Sequence, residues 1–393
     1  MKRPDMGVLF VMPDWHRASE LWMERMIEAL EPHLVSVVAR GTTETSWRGQ
    51  IPAIDLREYP PALWRRVGRR LLLPLRMIPR RTEAEVLREA VEDPAVTRIL
   101  VHYLEFALRY REVWAHTSKK LFVHCHGYDV TWDLRAHETP DQPAHAPDYV
   151  SRVRELSAKA ILIANSAVTA NKLKSVGISG ERIVIKPLGV PVSERSPTKP
   201  ERDHGLNILY LGRLVDFKGP DLVIRAFELA CEKGFDGTLA IAGDGPLRVT
   251  VELMRRESRF ADRIKILGAV DAETGERLRD AADVFTAHNR TGPLSRQEEA
   301  YGVSIVEAMA AALPVVTGRS GGVEETVVDG ETGILVSPGD VEAHAEAFLQ
   351  LARDQQLRRR MGEAGWRRAK ALFSCEIERK CLLDIMGLET ARI

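Results

Sequence analysis

LNILYLGRLVDFKGPDLVIRAF, residues 206–227, reads as one complete strand–loop–helix unit. LNILYL is almost continuously apolar, the pattern of a strand buried on both faces. Gly212 makes the exit turn. Pro220 suits the first turn of a helix, where its missing N–H has no partner to lose. Apolar residues then recur at helical spacing through Phe227. A covered strand followed by an amphipathic helix is the repeating element of a parallel α/β sheet.

The same alternation runs outward in both directions. Upstream lie the strand candidates GVLFVM (7–12), VSVVA (35–39), RILVHY (98–103), KLFVHC (120–125), AILIA (160–164) and RIVIK (182–186). Amphipathic stretches such as SELWMERMIEAL (19–30) and SAVTANKLKSVG (166–177) fall between some of them. Downstream come TLAIA (238–242), RIKIL (263–267), DVFTA (283–287), PVVT (314–317) and GILV (333–336), with helical patterns at 220–233, 302–312 and 340–352. PVSERSPTKPERDHG (191–205) is charged and proline-rich and reads as an interdomain linker. The expected fold is therefore α/β, with two doubly wound, Rossmann-like domains at 1–195 and 206–362. Residues 196–205 link them, and helices at 363–393 close the chain. Ligands in such sheets bind beyond the carboxyl ends of the strands, and a cleft between two such domains is the natural site.

Composition excludes several classes. The 393 residues are 45% hydrophobic and 28% charged, as in an ordinary globular protein. Lys and Arg total 56 and so do Asp and Glu, so the chain carries no general bias toward nucleic acid. Four scattered cysteines, none in a C-x-x-C pair, suit a reducing compartment. The N-terminus reads as a first buried strand and not as a signal peptide, and no segment reaches the about 20 apolar residues of a membrane span. A cytoplasmic protein is expected.

The chemistry gathers in the second half. Arg213 and Lys218 follow a strand end and precede a helix N-terminus, an arrangement suited to a diphosphate; solvated loop charges are the alternative. AGDGP (242–246) has a G-x-G, but Arg248 occupies the third glycine position of a dinucleotide fingerprint. Gly243 then reads as part of a tight turn passing a nucleotide base or ribose. EEAYGVSIVEAMA (298–310) places Glu299 in a loop and Glu307 in the helix that follows Gly302. The amides from Gly302 to Ser304 form an anion site at that helix start, while carboxylates on either side accept hydrogen bonds from sugar hydroxyls.

Taken in order, GRL…KG…D, AGDGP, E-x7-E followed by EAMA, PVV, and SGGVEETVVDGETGILV resemble the donor domain of glycosyltransferase family 4, retaining enzymes of the GT-B fold. The likeness covers roughly 207–340 and is strongest to exopolysaccharide and colanic-acid-type members. NSAVTANKLKSVGISGERIVIKPLGVP (165–191) is similar to the end of that family's N-terminal domain. The resemblance implies that Arg213 and Lys218 hold the donor diphosphate and that Glu307 takes the ribose hydroxyls. Glu299 contacts the donor sugar, helped by the backbone of Tyr301, Gly302 and Val303. Glu298, one residue out of register, is a loop charge. Gly321, Gly322 and Glu325 shape a turn beside the nucleotide pocket.

In the first half, HCHGYDVTW (124–132) is similar to the family's HG-x-D element. By that likeness His126 contacts the donor sugar, and Asp129 binds acceptor or orients the loop. His124 and His126 share a strand face, but no further metal-ligand cluster is evident; His102 is expected to face the cleft. The family's GG turn after the first strand is missing. Trp15, His16 and Arg17 stand there as acceptor-side candidates. Ala312 replaces a helix-ending glycine, so that helix is expected to end differently. The long loop AHNRTGPLSRQ (287–297) points toward an acceptor.

LWRRVGRRLLLPLRMIPRR (63–81) mixes seven arginines with apolar residues and reads as a contact with an anionic membrane surface; a helix pair with solvated arginines is the alternative. The implied activity is retaining hexosyl transfer from a UDP- or GDP-sugar to a glycan, lipid-linked or small-molecule hydroxyl, in the cytoplasm or at the membrane's cytoplasmic face. No cofactor or metal is called for, since the chain contains no D-x-D. A sugar-nucleotide epimerase of the same architecture, or glycosylation of a soluble natural product, is the alternative.

Overall fold

The structure, a computed structural model, describes residues 7–15, 21–42, 44–57, 82–198 and 205–388. His16, Arg17, the basic segment 61–81 and most of the 196–205 linker lie outside the described residues.

Contacts divide the chain into two compact units whose borders differ from the sequence reading. One unit holds the described residues of Met1–Cys125, Arg152–Ile163 and Leu383–Ile393; the other holds His126–Ser151 and Ala164–Leu382. The reason is tertiary. The Arg135 N–H donates to the Ser295 carbonyl at 2.9 Å, and a Cβ on Gly127 would come within 2.6 Å of the Ala300 Cβ. These contacts bind 126–151 to the C-terminal half and leave no trace in hydrophobic periodicity.

In the first unit the strands run in the order Ala160–Ala164, Lys120–Cys125, Val96–His102, Gly7–Asp14, Leu34–Arg40, Ile51–Asp55, Ser46–Trp47. All neighbours whose pairing is known in register are parallel except the last two. Val8, Leu9, Phe10 and Val11 are 0% exposed, as a doubly covered central strand requires.

The second unit carries a parallel sheet in the order Ile264–Gly268, Gly237–Ala242, Leu206–Leu211, Val284–Thr286, Val315–Gly318, Gly333–Val336. Its core joins Ile208, Tyr210, Leu239 and Ile241 of the strands to Phe227 and Phe348 of the covering helices. Strand order reverses between Leu206–Leu211 and Val284–Thr286. At such a switch the two exit loops part in opposite directions and leave room for a ligand. One loop carries Arg213 and Lys218; the other leads through His288 and Arg290 to Glu299.

The helix Val303–Ala310 ends in a way the sequence reading did not expect. Ala312 itself takes the left-handed conformation, with φ +55°. The Leu313 N–H donates to the Ala308 carbonyl at 3.0 Å and the Ala312 N–H to the Met309 carbonyl at 2.9 Å. This is the usual glycine-type termination, made by an alanine. The C-terminal helices are Gln355–Leu372 and Cys375–Met386, so helix begins eight residues before Glu363. No helix among the described residues is long and apolar enough to cross a membrane.

Candidate active site

Lys218 ends the short helical turn Asp216–Lys218, and Pro220–Glu232 begins two residues later. Its ammonium meets the Glu299 carboxylate at 2.5 Å, and the two side chains are 15% and 12% exposed. The other Glu299 oxygen accepts the Gly302 N–H at 3.1 Å. Burial alone raises the Glu299 pKa. The Lys218 charge and hydrogen bond, then Arg213, more than offset it, so the carboxyl titrates below its ordinary range. An ionised Glu299 beside a shared cation accepts hydrogen bonds and donates none. Arg213 is exposed, and its guanidinium lies 5.9 Å from the centre of the Phe217 ring.

Glycines set the loop beneath Glu299. A Cβ on Gly321 would stand 2.1 Å from the Glu299 carbonyl oxygen, and one on Gly322 would stand 2.0 Å from that of Ala300. The Gly322 N–H also donates to the Glu299 carbonyl at 2.7 Å. The G-G pair therefore lets two backbones touch under the carboxylate. Glu325 turns away from it. Its two oxygens accept the N–H groups of Ala167 and Val168 at 2.7 and 2.8 Å, capping the helix Ala167–Ser175.

Glu307 sits on the helix Val303–Ala310 and pairs with Arg279 at 3.3 Å, the side chains being 18% and 15% exposed. Arg279 belongs to the helix Ala272–Ala281 and to no motif in the sequence, so sequence reasoning missed it. The helix start at Gly302 has no side-chain hydrogen-bond cap. The Tyr301 side chain is not part of the site. It is 3% exposed, its hydroxyl donates to the Leu188 carbonyl at 2.8 Å, and burial raises its pKa. Only the Tyr301 backbone stays beside Glu299 and Gly302. Gly243 has a packing reason for being glycine: its φ is +141°, and a Cβ would stand 1.9 Å from the Gly212 carbonyl oxygen. The loop is shaped by that crossing of two strand exits, whatever it passes.

Asp216 is a second missed residue. It is 2% exposed and accepts the N–H groups of Leu294 and Ser295, both at 2.8 Å, and the Ser295 hydroxyl at 2.7 Å. Burial pushes its pKa up, but these bonds prevail and hold it below the ordinary value. Its contacts fasten the long loop after Thr286 to the turn that carries Lys218. Glu298 is more than a free loop charge: it accepts the Thr291 hydroxyl at 2.7 Å and pairs with Lys172 at 3.1 Å. With Arg290, Thr291, Arg319, Ser320 and Glu324 it lines an open cavity of about 530 Å³.

Asp129 is fully buried, and one of its oxygens accepts the N–H groups of His126 and Gly127 at 2.8 and 2.9 Å. Of its two expected roles this geometry matches loop orientation, since a 0% exposed carboxylate presents nothing to an acceptor. The turn it ties sets His126, half-buried, next to the Gly127–Ala300 contact and so near Glu299. His102 does not face open space: it is 0% exposed among Phe10, Trp22 and His124. Trp15 is half-buried and packs edge-on against Trp47 at 5.7 Å.

Residues 193–368 match the family model described as glycosyl transferases group 1. The chain is 30% identical over 254 residues to a GDP-mannose-dependent alpha-(1-6)-phosphatidylinositol monomannoside mannosyltransferase of Mycolicibacterium smegmatis, covering 63% of this chain and 65% of that protein. It is 27% identical over 327 residues to a GDP-mannose-dependent monoacylated alpha-(1-6)-phosphatidylinositol monomannoside mannosyltransferase of Corynebacterium glutamicum, covering 80% and 82%. The crystal structure of Anabaena HepE in complex with UDP-glucose superposes with a TM-score of 0.73 at 17% identity, covering 97% of this chain and all of that one. At that identity the likeness speaks for the fold.

Proposed function

We propose that the chain, whose residues 193–368 match the group 1 glycosyl transferases, is a family-4-type glycosyltransferase of the GT-B fold that moves a hexosyl group from a nucleoside-diphosphate sugar to an acceptor hydroxyl with retention of configuration. The observation that carries the reading is the Lys218–Glu299 pair at the switch point of the second sheet. It adjoins the start of a helix that also bears the Arg279–Glu307 pair.

In this reading the leaving diphosphate lies against Lys218, Arg213 and the helix-start amides of Val303 and Ser304, the Gly302 N–H being engaged by Glu299. Negative charge grows there as the glycosidic bond breaks, and fixed cations and dipoles stabilise it without reorganising. Glu299, kept ionised, takes donor-sugar hydroxyls and faces the positive charge developing at the anomeric carbon. Glu307 takes the ribose hydroxyls, and His126 contacts the sugar from its turn. The charge balance at the diphosphate calls on no metal or cofactor. The two mannosyltransferases named above favour GDP and a lipid-borne acceptor, and the UDP-glucose complex keeps UDP in contention. A lipid-borne acceptor would bring the enzyme to the cytoplasmic face of a membrane, with 61–81 as the contact.

The test is a thermal-shift and initial-rate panel with UDP- and GDP-sugars. A ligand that binds only the folded state raises its melting temperature by mass action. A donor that stabilises the wild type but not Lys218→Ala, and is transferred with retention, supports the reading. Equal stabilisation of both proteins overturns the assignment of Lys218. Isomerised donor with no transfer product would make the protein an epimerase.

A further inference from the structure

His288 and His344 are both 0% exposed, and their rings stack with centroids 5.0 Å apart. The Gly339 N–H donates to His288 Nε2 at 2.8 Å. A backbone amide can only donate, so His288 Nε2 carries no proton, and its proton sits on Nδ1. That atom lies 2.8 Å from His344 Nδ1, which must therefore accept. The His344 proton then sits on Nε2, 2.8 Å from Thr286 Oγ1, and the threonine hydroxyl donates onward to the Val316 carbonyl at 3.1 Å. Every hydrogen bond in the chain has one permitted direction, and both imidazoles are neutral.

The backbone beside this relay touches the diphosphate loop. The His288 N–H donates to the Lys218 carbonyl at 3.0 Å, and the Arg290 N–H to that of Phe217 at 2.9 Å. A Cβ on Gly219 would come within 2.4 Å of the His288 carbonyl oxygen, so the two segments lie in contact. The Arg290 guanidinium bridges the Asp216 carbonyl at 2.9 Å and the Asp221 carboxylate at 3.1 Å.

We propose that His288 and His344 are positioning residues for donor binding: a neutral, one-way hydrogen-bond relay that anchors residues 288–290 and through them holds Lys218 where the diphosphate arrives. The inference rests on the assignment of Lys218 made above. An anchored strap fixes the Lys218 main chain, and only the side chain remains to be placed by Glu299. Without His344, the His288 Nδ1–H is left buried with no acceptor, and the strap can relax toward another partner.

The experiment compares wild type, His344→Leu, His344→Asn and Lys218→Ala. Binding of UDP and GDP is measured by calorimetry, KM and kcat with the donor sugar, and stability by denaturation. Asparagine keeps an acceptor near the position of Nδ1; leucine keeps bulk alone. His344→Leu is expected to weaken diphosphate binding roughly tenfold and to lower kcat in the same sense as Lys218→Ala, because the same cation is displaced, and His344→Asn to recover most of both. Lost stability with wild-type binding in the leucine variant makes the pair merely structural and overturns the proposal. Unchanged binding in Lys218→Ala overturns the Lys218 assignment as well, which separates the two failures. If the leucine variant does not fold, imidazole ¹⁵N shifts of the wild type near neutral pH decide. Protons on His288 Nδ1 and His344 Nε2 support the relay, and any other tautomer pair sinks it.

Discussion

The two ends of the segment from Glu299 to Glu307 are held in different ways. Glu299 lies in a loop, yet it is locked by Lys218, by the Gly302 amide, and by the glycine pair packed under its backbone. Glu307 lies in a regular helix and pairs with Arg279 of a second helix at the longer distance of 3.3 Å. The end assigned to the sugar and diphosphate is a cation and carboxylate fixed by backbone contacts; the end assigned to the ribose is a pairing of two helices. Preorganised charges beside the reacting bond act mainly on the transition state, while a contact to the distant ribose acts on ground-state binding.

The sharpest way to break the contrast is at the rigid end. Lys218→Ala is expected to lower kcat/KM by roughly 10²–10³, with kcat affected, because a fixed cation is lost where charge develops. Initial rates over a range of donor concentrations measure it, and an unchanged kcat would erase the difference between the two ends. Next comes the ribose end. Glu307→Gln is expected to raise donor KM roughly tenfold with kcat kept, as for loss of a uniform binding contact. Arg279→Ala should give the same pattern, since it removes the guanidinium that pairs with Glu307. A large drop in kcat from either variant would mean the ribose end also acts on the transition state.

Acid should weaken the rigid end and its backing. Burial first, then Arg290, lowers the His288 pKa from 6.5 to about 4, against the opposing pull of Asp221 and Asp340. Between those values the unfolded chain binds the proton and the folded one does not. Stability is therefore complete above about 6.5 and falls as pH drops toward about 4. Glu299 adds a second loss at lower pH, because its carboxyl is held below 4.5 in the folded state. The His344 pKa, lowered by burial and then by His288, contributes in the same direction. Urea denaturation across this range should show the loss, and His288→Gln should make its upper part shallower. An acid slope unchanged in that variant would remove His288 from the account.

The smallest expected effect lies at the far end of the same helix. Ala312→Gly should stabilise the protein by a few tenths to about 1 kcal/mol, as relief of the left-handed alanine exceeds the entropy cost of glycine. Denaturation midpoints check it, and a destabilised variant would show that the Ala312 methyl, 7% exposed, packs better than its backbone strains.

Much of this was legible in the chain. Near-continuous apolar runs such as LNILYL became central parallel strands because only a doubly covered sheet buries such a run. Lys218, Glu299 and Glu307 were legible because loop cations and helix-start carboxylates beside glycines form an ordered pattern. Asp216 lies in the same stretch as Lys218 but carries no local signal, since its use depends on Leu294 and Ser295, almost eighty residues away.

The sequence alone determined which segments are strands and helices and which side chains can carry charge at strand ends, because periodicity and residue type are local properties. The tertiary structure decided how those charges pair: Lys218 with Glu299, Arg279 with Glu307, Glu325 with a helix of the 164–382 segment, Asp129 with its own turn. It also decided that 126–151 joins the C-terminal half and that two histidines become a directed relay. Such pairings depend on which loops meet at a switch point, and burial then makes each pairing obligatory, because a buried polar group without a partner is too costly to leave.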